Sequence, residues 1–228
     1  MVALEAVLVT AGGGVLATLF AAALGAPVSL ITIAAAMGGL NGLASGLRRV
    51  YDWADAKGWA AFVLDSSWGL LGSALGLVVH LGNLHDRRAV YRADHSRRRN
   101  RHVYEHGFRL KRGYLVTLGN VISNASGEGE RIEDRPGRVQ LIDRHEDLHV
   151  WQNRVFGVGM QATYVLWAAG GVFVGFLYWL VHRDEDLGAI VMTTAYLDNP
   201  FEYWAYRRDR NWPPAGAHPG LRWPGRVG

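Results

Sequence analysis

Three long segments of this chain carry almost no charge, and they constrain its fold more than any other feature. They cover residues 2–47, 58–84 and 155–182, and a stretch crowded with arginine lies between the last two. A helix needs about 20 apolar residues to cross the hydrocarbon core of a bilayer. The mean hydropathy of +0.03 conceals this pattern, because it averages apolar segments with strongly charged ones. The segments therefore predict an integral protein of a lipid bilayer.

The apolar segments predict four membrane-spanning helices and a fifth, weaker one. Residues 25–27 interrupt the first segment, and the N-terminus has no Lys or Arg, so we expect a helical hairpin rather than a cleaved signal peptide. The fold class is mainly α, a polytopic transmembrane helical bundle of four to five helices. The predicted spans are 5–24, 28–47, 59–84 and 160–182, and the weaker segment, 187–206, either spans or returns half-buried.

Small residues recur at a spacing of four within these segments. Close backbone approach through such residues is a main source of packing energy between helices in lipid. The pattern predicts helix contacts within the chain or a homo-oligomer formed through glycine-rich helices, and the sequence leaves both open. The residues concerned are Gly38, Gly42, Gly46, Gly72, Gly76, Gly171 and Gly175.

Lysine and arginine counts in the loops predict the orientation, because cytoplasmic loops carry an excess of positive charge. Residues 85–112 contain ten Lys or Arg and residues 207–228 contain five, whereas residues 48–57 contain three. We expect residues 85–154 and the C-terminus in the cytoplasm, with the N-terminus and residues 48–57 outside a bacterial inner (plasma) membrane. The arginines of residues 97–101 should face lipid headgroups. Nucleic acid is excluded as a partner, because few aromatic residues accompany these arginines.

The polar stretch after the third span predicts a small antiparallel β insertion. Residues 102–109 and 114–122 are strand-like, and Lys111-Arg112-Gly113 between them is a hairpin signal. Residues 138–142 are a candidate third strand. His102 and His106 fall in the first strand, where we expect a surface pair.

One motif carries chemistry, His145-Glu146-x-x-His149. On a helix, residues four apart lie on one face, so the two imidazoles can share a metal ion with Glu146 beside them as general base. The chain has no Cys, which excludes thiolate ligands. In the alternative interpretation, Asp143 and Glu146 form a capping box at a helix start and both histidines are exposed at the membrane interface.

The motif and a second block downstream resemble a known family. The pattern His145-Glu146-x-x-His149-x-x-Gln152, followed by Asn199-Pro-Phe-Glu202-x-x-Ala, is similar to the bacterial membrane-associated HExxH zinc metallopeptidases, which are gluzincin-like. The resemblance covers residues 143–206. It implies Zn²⁺ held by His145, His149 and Glu202, with Glu146 as the base and Gln152 as a hydrogen-bond partner of a ligand.

Glu202 could have a structural role instead of binding the metal, and it can reach the histidines only if the chain between them bends. Asn199 is a candidate N-cap and Glu202 follows it by three, so Glu202 could belong to a capping box instead. A straight helix from the motif through the fourth span would carry the two blocks apart, so we expect a break at residues 157–159. Other third ligands are His106, Asp198 or Asp143. The oxyanion donor stays open among Arg144, Tyr196, Tyr203 and Tyr206.

The sequence thus predicts a membrane-embedded zinc-dependent hydrolase, most simply a metallopeptidase working at the cytoplasmic membrane face. Alternatives are a zinc-dependent hydrolase of a lipid or amide metabolite, and a non-catalytic membrane adaptor or transporter subunit. The last would use Asp65 and His80 within the membrane, although both lie near segment ends, where they should reach the interface. The predicted organisation is transmembrane helices 1–3 (1–84), a basic cytoplasmic linker with the β meander (85–142), the motif segment with its transmembrane hairpin and Glu-bearing helix (143–206), and a basic Pro/Gly-rich tail (207–228).

Overall fold

The computed structural model describes residues 2–110, 114–127 and 129–223, and most of these residues are helical, as predicted. The predicted turn at Lys111-Arg112-Gly113 lies outside the described residues. The helices are α1 (Val2–Ala23), α2 (Val28–Arg48), α3 (Ala56–Asp65), α4 (Leu70–His85), α5 (Ala93–Ser96), α6 (Arg138–Leu141), α7 (Asp147–Phe156), α8 (Val158–Val181), α9 (Leu187–Val191) and α10 (Pro200–Arg208). The strands are β1 (His102–Val103), β2 (Val116–Leu118) and β3 (Val121–Ser123).

Helices α1 and α2 form an antiparallel hairpin that turns at Gly25, where φ is +71°. A Cβ at Gly38, Gly42 or Gly46 would collide with the backbone of α1. Gly171 of α8 likewise contacts the backbone of Thr194. The prediction that these glycines mark contacts within the chain is confirmed, and a homo-oligomer stays a prediction.

Three helices, α1, α2 and α8, are long and apolar enough to cross a membrane, and the bent pair α3–α4 would be a fourth span if it counts as one. Residues 59–84 do not form one continuous helix, because α3 and α4 meet at 85°. The bend follows Asp65, which is buried against Arg154 of α7 rather than exposed at an interface. A buried carboxylate needs a partner. The partner of Asp65, Arg154, lies on α7, to the side of the line along which α3 would continue.

Residues 187–206 do not form one helix. Helix α9 continues into a π-helical segment, Met192–Leu197, and the chain turns at Asp198 and Asn199 before α10 begins at Pro200. Proline has no N–H to continue the preceding helix. The apolar part, Leu187–Leu197, is too short to span and packs along α8 through Thr194, whose hydroxyl donates to the carbonyl of Gly171 at 2.7 Å.

The sheet is mixed, so the predicted antiparallel meander is wrong. Its strand order is β1-β3-β2, with β1 parallel and β2 antiparallel to β3. The hairpin turn falls at Gly119-Asn120, between Leu118 and Val121, which pair directly. Gly119 supplies the positive φ (+58°) that a two-residue turn needs. Residues 138–141 are helical rather than a third strand, because they pack as the start of the helix that enters the His145 motif.

His102 is fully buried, so the predicted surface pair is wrong. Its ring nitrogens hydrogen-bond with the Ser45 and Tyr91 hydroxyls at 3.1 and 3.2 Å, respectively. The short strand β1 lies in the core between α2 and α4, where these hydroxyls satisfy the imidazole. His106 lies apart and contacts the Ser126 hydroxyl at 3.0 Å.

The N-terminal end of α1 and residues 48–57 lie on the same side as the arginine-rich loop. Glu5 forms ion pairs with Arg49 at 3.0 Å and Arg98 at 2.6 Å. The backbone N–H of Arg98 donates to the carbonyl of Arg49, and that of Asn100 to Val50. The prediction that residues 48–57 and 85–154 lie on opposite sides is therefore wrong. The α1–α2 hairpin returns the chain to the side on which it starts.

The arginines of residues 97–101 do not form a uniform headgroup-facing run. Arg98 binds Glu5, and Arg101 is buried in ion pairs with Asp143 and Asp147. Only the side chains of Arg97 and Arg99 in this run are largely exposed. Arg98 and Arg101 instead form ion pairs with carboxylates that are distant in sequence.

Candidate metal centre

The His145 motif begins in a π-helical turn, Ile142–Glu146, and continues into α7. The imidazoles of His145 and His149 lie on one face with ring centroids 4.9 Å apart. They are 4% and 6% exposed, so the interpretation that placed both at the membrane surface is wrong. Glu146 makes no capping contact at either helix start. Instead, the Thr117 hydroxyl of β2 donates to its carboxylate at 2.6 Å.

The predicted break after the motif is present at Gly157, between α7 and α8. Gly157 has φ +52°, and a Cβ there would lie 2.6 Å from the carbonyl oxygen of Trp68. Gly159 is already inside α8. The break lets α8 leave in a new direction, so that the returning chain can bring α10 back to α7.

Glu202 of α10 lies against both histidines. Its Oε2 is 3.5 Å from Nε2 of His145, and its Oε1 is 3.5 Å from Nε2 of His149. One ligand atom from each of the three buried residues lies within 4.8 Å of the others. Tetrahedral zinc ligands at about 2.0–2.2 Å from the ion stand about 3.4 Å from one another, which is close to these separations.

A capping role does not account for the Glu202 side chain. Asn199 is the N-cap, as predicted, and its side chain accepts from the N–H of Phe201 at 3.0 Å. The N–H of Asn199, which Glu202 would bind in a capping box, donates to Tyr196 instead. Oε2 of Glu202 is buried and has no hydrogen-bond partner among the described residues. A cation between the histidines would satisfy it, so these residues fit a zinc ion.

The charges at this centre are those that a cation requires. Burial lowers the pKa of His145, but the carboxylates of Asp209, Glu202 and Glu146 outweigh it and raise that pKa to about 10. The pKa of His149 is raised in the same way by Glu202. Burial raises the pKa of Glu202, but the two histidines hold it well below its usual range. Glu202 is thus a carboxylate that draws positive charge to the space between the rings.

Each imidazole is oriented by a hydrogen bond on its far nitrogen. Nδ1 of His149 donates to Oε1 of Gln152 at 2.8 Å, and Nε2 of Gln152 donates to the carbonyl of Phe201 at 3.1 Å. Nδ1 of His145 donates to Asp209 at 3.0 Å. Both Nε2 atoms therefore face Glu202, the arrangement in which outer partners fix the tautomer of metal-binding histidines. Gln152 was expected here, whereas Asp209 was not.

The four candidate oxyanion donors do not lie together at the centre. The ring of Tyr206 packs edge-on against His145, with centroids 4.6 Å apart, and Tyr196 lines the adjoining cavity. Tyr203 packs on Trp212, and Arg144 is exposed; neither lines that cavity. Tyr164 of α8, which sequence reasoning missed, donates to Oε1 of Glu202 at 3.0 Å.

The alternative third ligands are engaged elsewhere. Asp143 pairs with Arg101, and Asp198 accepts from the backbone N–H of Trp223 at 3.1 Å. His106 contacts Ser126, as described above. A second group with metal-ligand spacing, Asp94, His95 and Glu133, surrounds the guanidinium of Arg92, which donates to both carboxylates. Arg92 already supplies the positive charge there.

A cavity of about 620 Å³ opens onto the centre. His145, Glu146, His149 and Glu202 contribute its polar wall. Much of the remaining wall is apolar and comes from α4, the β2 segment and α8, including Leu75, Leu115, Leu118, Met160 and Val165. Since Val165 is also 66% exposed on the apolar surface of α8, the cavity adjoins the face that would meet lipid.

A buried ion pair anchors the helix that carries His149. Nε and Nη2 of Arg154 each donate to Asp65 at 2.8 Å, in a bidentate pair with both side chains nearly fully buried. The hydroxyl of Tyr51 also donates to Asp65, at 3.0 Å. This pair joins the bend between α3 and α4 to α7, so the packing of these two helices sets the position of the motif.

Comparison with protein-family models, with curated proteins and with solved structures finds no match to this chain. What the centre does is therefore argued from its own residues.

Proposed function

We propose that this protein is a membrane-embedded zinc-dependent hydrolase, most simply a metallopeptidase. One observation carries the proposal: His145, His149 and Glu202 converge from two helices at ion-binding distances, with Glu146 beside them in one cavity. The resemblance to membrane-associated HExxH metallopeptidases points the same way. Oε2 of Glu202, which faces Nε2 of His145 at 3.5 Å and has no hydrogen-bond partner among the described residues, is available to a zinc ion.

The residues divide the chemistry among them. A zinc ion held by His145, His149 and Glu202 would act as a Lewis acid and lower the pKa of water towards 7. Glu146, whose carboxylate accepts a hydrogen bond from Thr117, is placed to accept a proton from water and to donate it to a leaving group. Tyr196 lines the cavity, and burial raises its pKa, so its hydroxyl stays protonated and can donate to an oxyanion. Asp209 and Gln152 keep the imidazoles aligned.

A peptide is the substrate that the cavity walls favour. Within the described sheet, β2 pairs with β3 along one edge, and its other edge pairs with no strand. The three residues of β2, Val116, Thr117 and Leu118, line the cavity. An extended peptide can bind such an edge as an added strand. The apolar walls also support the alternative of a lipid-like substrate. The site lies on the arginine-rich side, which favours the cytoplasmic face of a bacterial inner membrane.

Metal analysis and a substrate panel test the proposal. The purified chain should hold one equivalent of zinc, and a chelator that removes it should abolish hydrolysis. Digestion of a peptide library, set against a panel of lipids and amide metabolites, assigns the substrate class. A chain that binds no divalent metal would leave the adaptor or transporter role in place.

A further inference from the structure

A second cavity, of about 460 Å³, has three arginines and one carboxylate among the residues that line it. Arg135 and Arg138 line it from the α6 segment, and Arg210 lines it from the segment after α10. Asp209 is also part of the wall, but its carboxylate already accepts from His145 and from the N–H of Asn211. Three arginines therefore line this cavity, and its one carboxylate, that of Asp209, is already hydrogen-bonded to other residues of the chain.

Arg138 distinguishes this cavity from an ordinary basic surface. It is 8% exposed, and its Nε has no hydrogen-bond partner in the described part of the chain. Arg135 pairs with Glu130 at 3.6 Å, whereas no carboxylate of the described residues forms an ion pair with Arg138. Burial and the neighbouring charge of Arg135 lower the pKa of Arg138. Buried charges in proteins are normally paired, because removing them from water is costly.

We infer that this cavity binds a phosphate group through Arg138. The planar guanidinium offers paired N–H donors that match the oxygens of a phosphate. The exposed side chains of Arg135 and Arg210 add positive potential at the rim. The phosphate group is either a free anion or part of a lipid headgroup, since the chemistry of recognition is the same.

The phosphate cavity contains none of the proposed zinc ligands, and it adjoins their centre through Asp209, which lines this cavity and orients His145. Arg138 does not line the cavity that holds Glu146, and the ligands His145, His149 and Glu202 do not line this one. Phosphate binding can therefore be measured whether or not the protein is a hydrolase.

Inorganic phosphate is the first probe, titrated into the purified full chain in a zwitterionic detergent at constant ionic strength. The unfolding temperature should rise and saturate, because a ligand that binds only the folded state stabilises it by mass action. Arg138→Gln should weaken phosphate binding by about tenfold or more, as loss of a charge-assisted hydrogen bond does. Arg131→Gln removes an exposed arginine outside the cavity and should bind as the unchanged chain does.

Short-chain phosphatidic acid, the second probe, distinguishes the two sources. If phosphatidic acid displaces phosphate from the unchanged chain at a lower concentration than phosphate itself needs, and this displacement is lost in Arg138→Gln, the site binds a lipid headgroup. If phosphatidic acid does not displace phosphate, the site binds a free anion. The proposal is overturned if neither probe gives a saturable effect, or if a folded Arg138→Gln binds like Arg131→Gln. Should Arg138→Gln not fold, the exposed pair Arg135→Gln/Arg210→Gln decides, since unchanged phosphate affinity in that variant also overturns the site.

Discussion

Nδ1 of His145 donates a hydrogen bond to Asp209 at 3.0 Å, although the two residues are 64 positions apart in the chain. Asp209 directly follows α10, in the segment predicted as a basic tail. Its carboxylate fixes the tautomer that turns Nε2 towards Glu202. The start of this tail therefore belongs to the candidate centre, and residues 143–206 do not contain all of it.

Glu146→Gln should leave zinc bound while turnover falls by about two orders of magnitude or more, the usual contribution of a general base. The amide keeps the shape of the carboxylate but cannot accept a proton. Metal content and hydrolysis rate are measured together. Asp184→Asn, which changes an exposed carboxylate beyond the far end of α8, is the control. Full activity in Glu146→Gln would show that Glu146 is structural.

Glu202→Ala should abolish stoichiometric zinc, because it removes the ligand that faces both histidines. Asn199→Ala is the matched control on the same helix, since it removes the N-cap and should cost about 1 kcal/mol of stability while zinc stays bound. Metal analysis and thermal unfolding separate the two. Retention of a full equivalent of zinc in Glu202→Ala would contradict its role as a ligand.

Asp209→Asn should lower zinc affinity by about 10- to 100-fold, as loss of an outer hydrogen-bond partner does. The asparagine can still contact Nδ1 of His145, but it lacks the charge that strengthens the imidazole as a ligand. Competition with a chelator of known affinity measures the change. An unchanged affinity would mean that Asp209 only packs beside the centre.

Asp65→Ala should destabilise the fold by about 3–5 kcal/mol, because it leaves the guanidinium of Arg154 buried without a counter-ion. The double variant Asp65→Leu/Arg154→Met removes both charges and should recover most of that loss. Thermal or denaturant unfolding in detergent provides the comparison. Equal losses in the single and double variants would show that the charges themselves do not matter.

Single cysteines report the sidedness cleanly, since the chain has none of its own. Asp55→Cys and Arg97→Cys should react with an impermeant reagent from the same side of the membrane, because residues 48–57 contact the arginine-rich loop. Leu24→Cys, at the far end of the α1–α2 hairpin, should react from the opposite side. Labelling of Leu24→Cys and Asp55→Cys from one side would exclude a membrane crossing by α2, the helix between them.

Local patterns in the sequence predicted several parts of this structure. The glycine spacing in α2 predicted its close contact with α1, because only residues without a side chain allow that approach. The spacing of His145 and His149 predicted that they share a face, since residues four apart meet on a helix. The need for Glu202 to reach them predicted the break at Gly157. The first two inferences follow from properties of a few neighbouring residues, whereas the third combines the weak helix formers at Gly157 with the distant position of Glu202.

Other parts depended on contacts between residues far apart in the chain. Hydropathy predicted a span over residues 59–84 without its bend, because hydropathy does not show that Asp65 pairs with Arg154. Loop charges placed residues 48–57 on the wrong side, because they do not show that Glu5 binds Arg98. No local signal marked Asp209 or Tyr164 as partners of the centre.

The amino-acid sequence by itself thus determined the apolar helices and the His145 motif, since helix periodicity and side-chain chemistry are local properties, whereas Glu202 was named as a ligand through the family resemblance. Tertiary structure alone decided where the chain bends, which loops share a side and which groups orient His145 and Glu202. Buried charges select their partners by proximity in the folded chain, and that proximity exists only once the helices have packed.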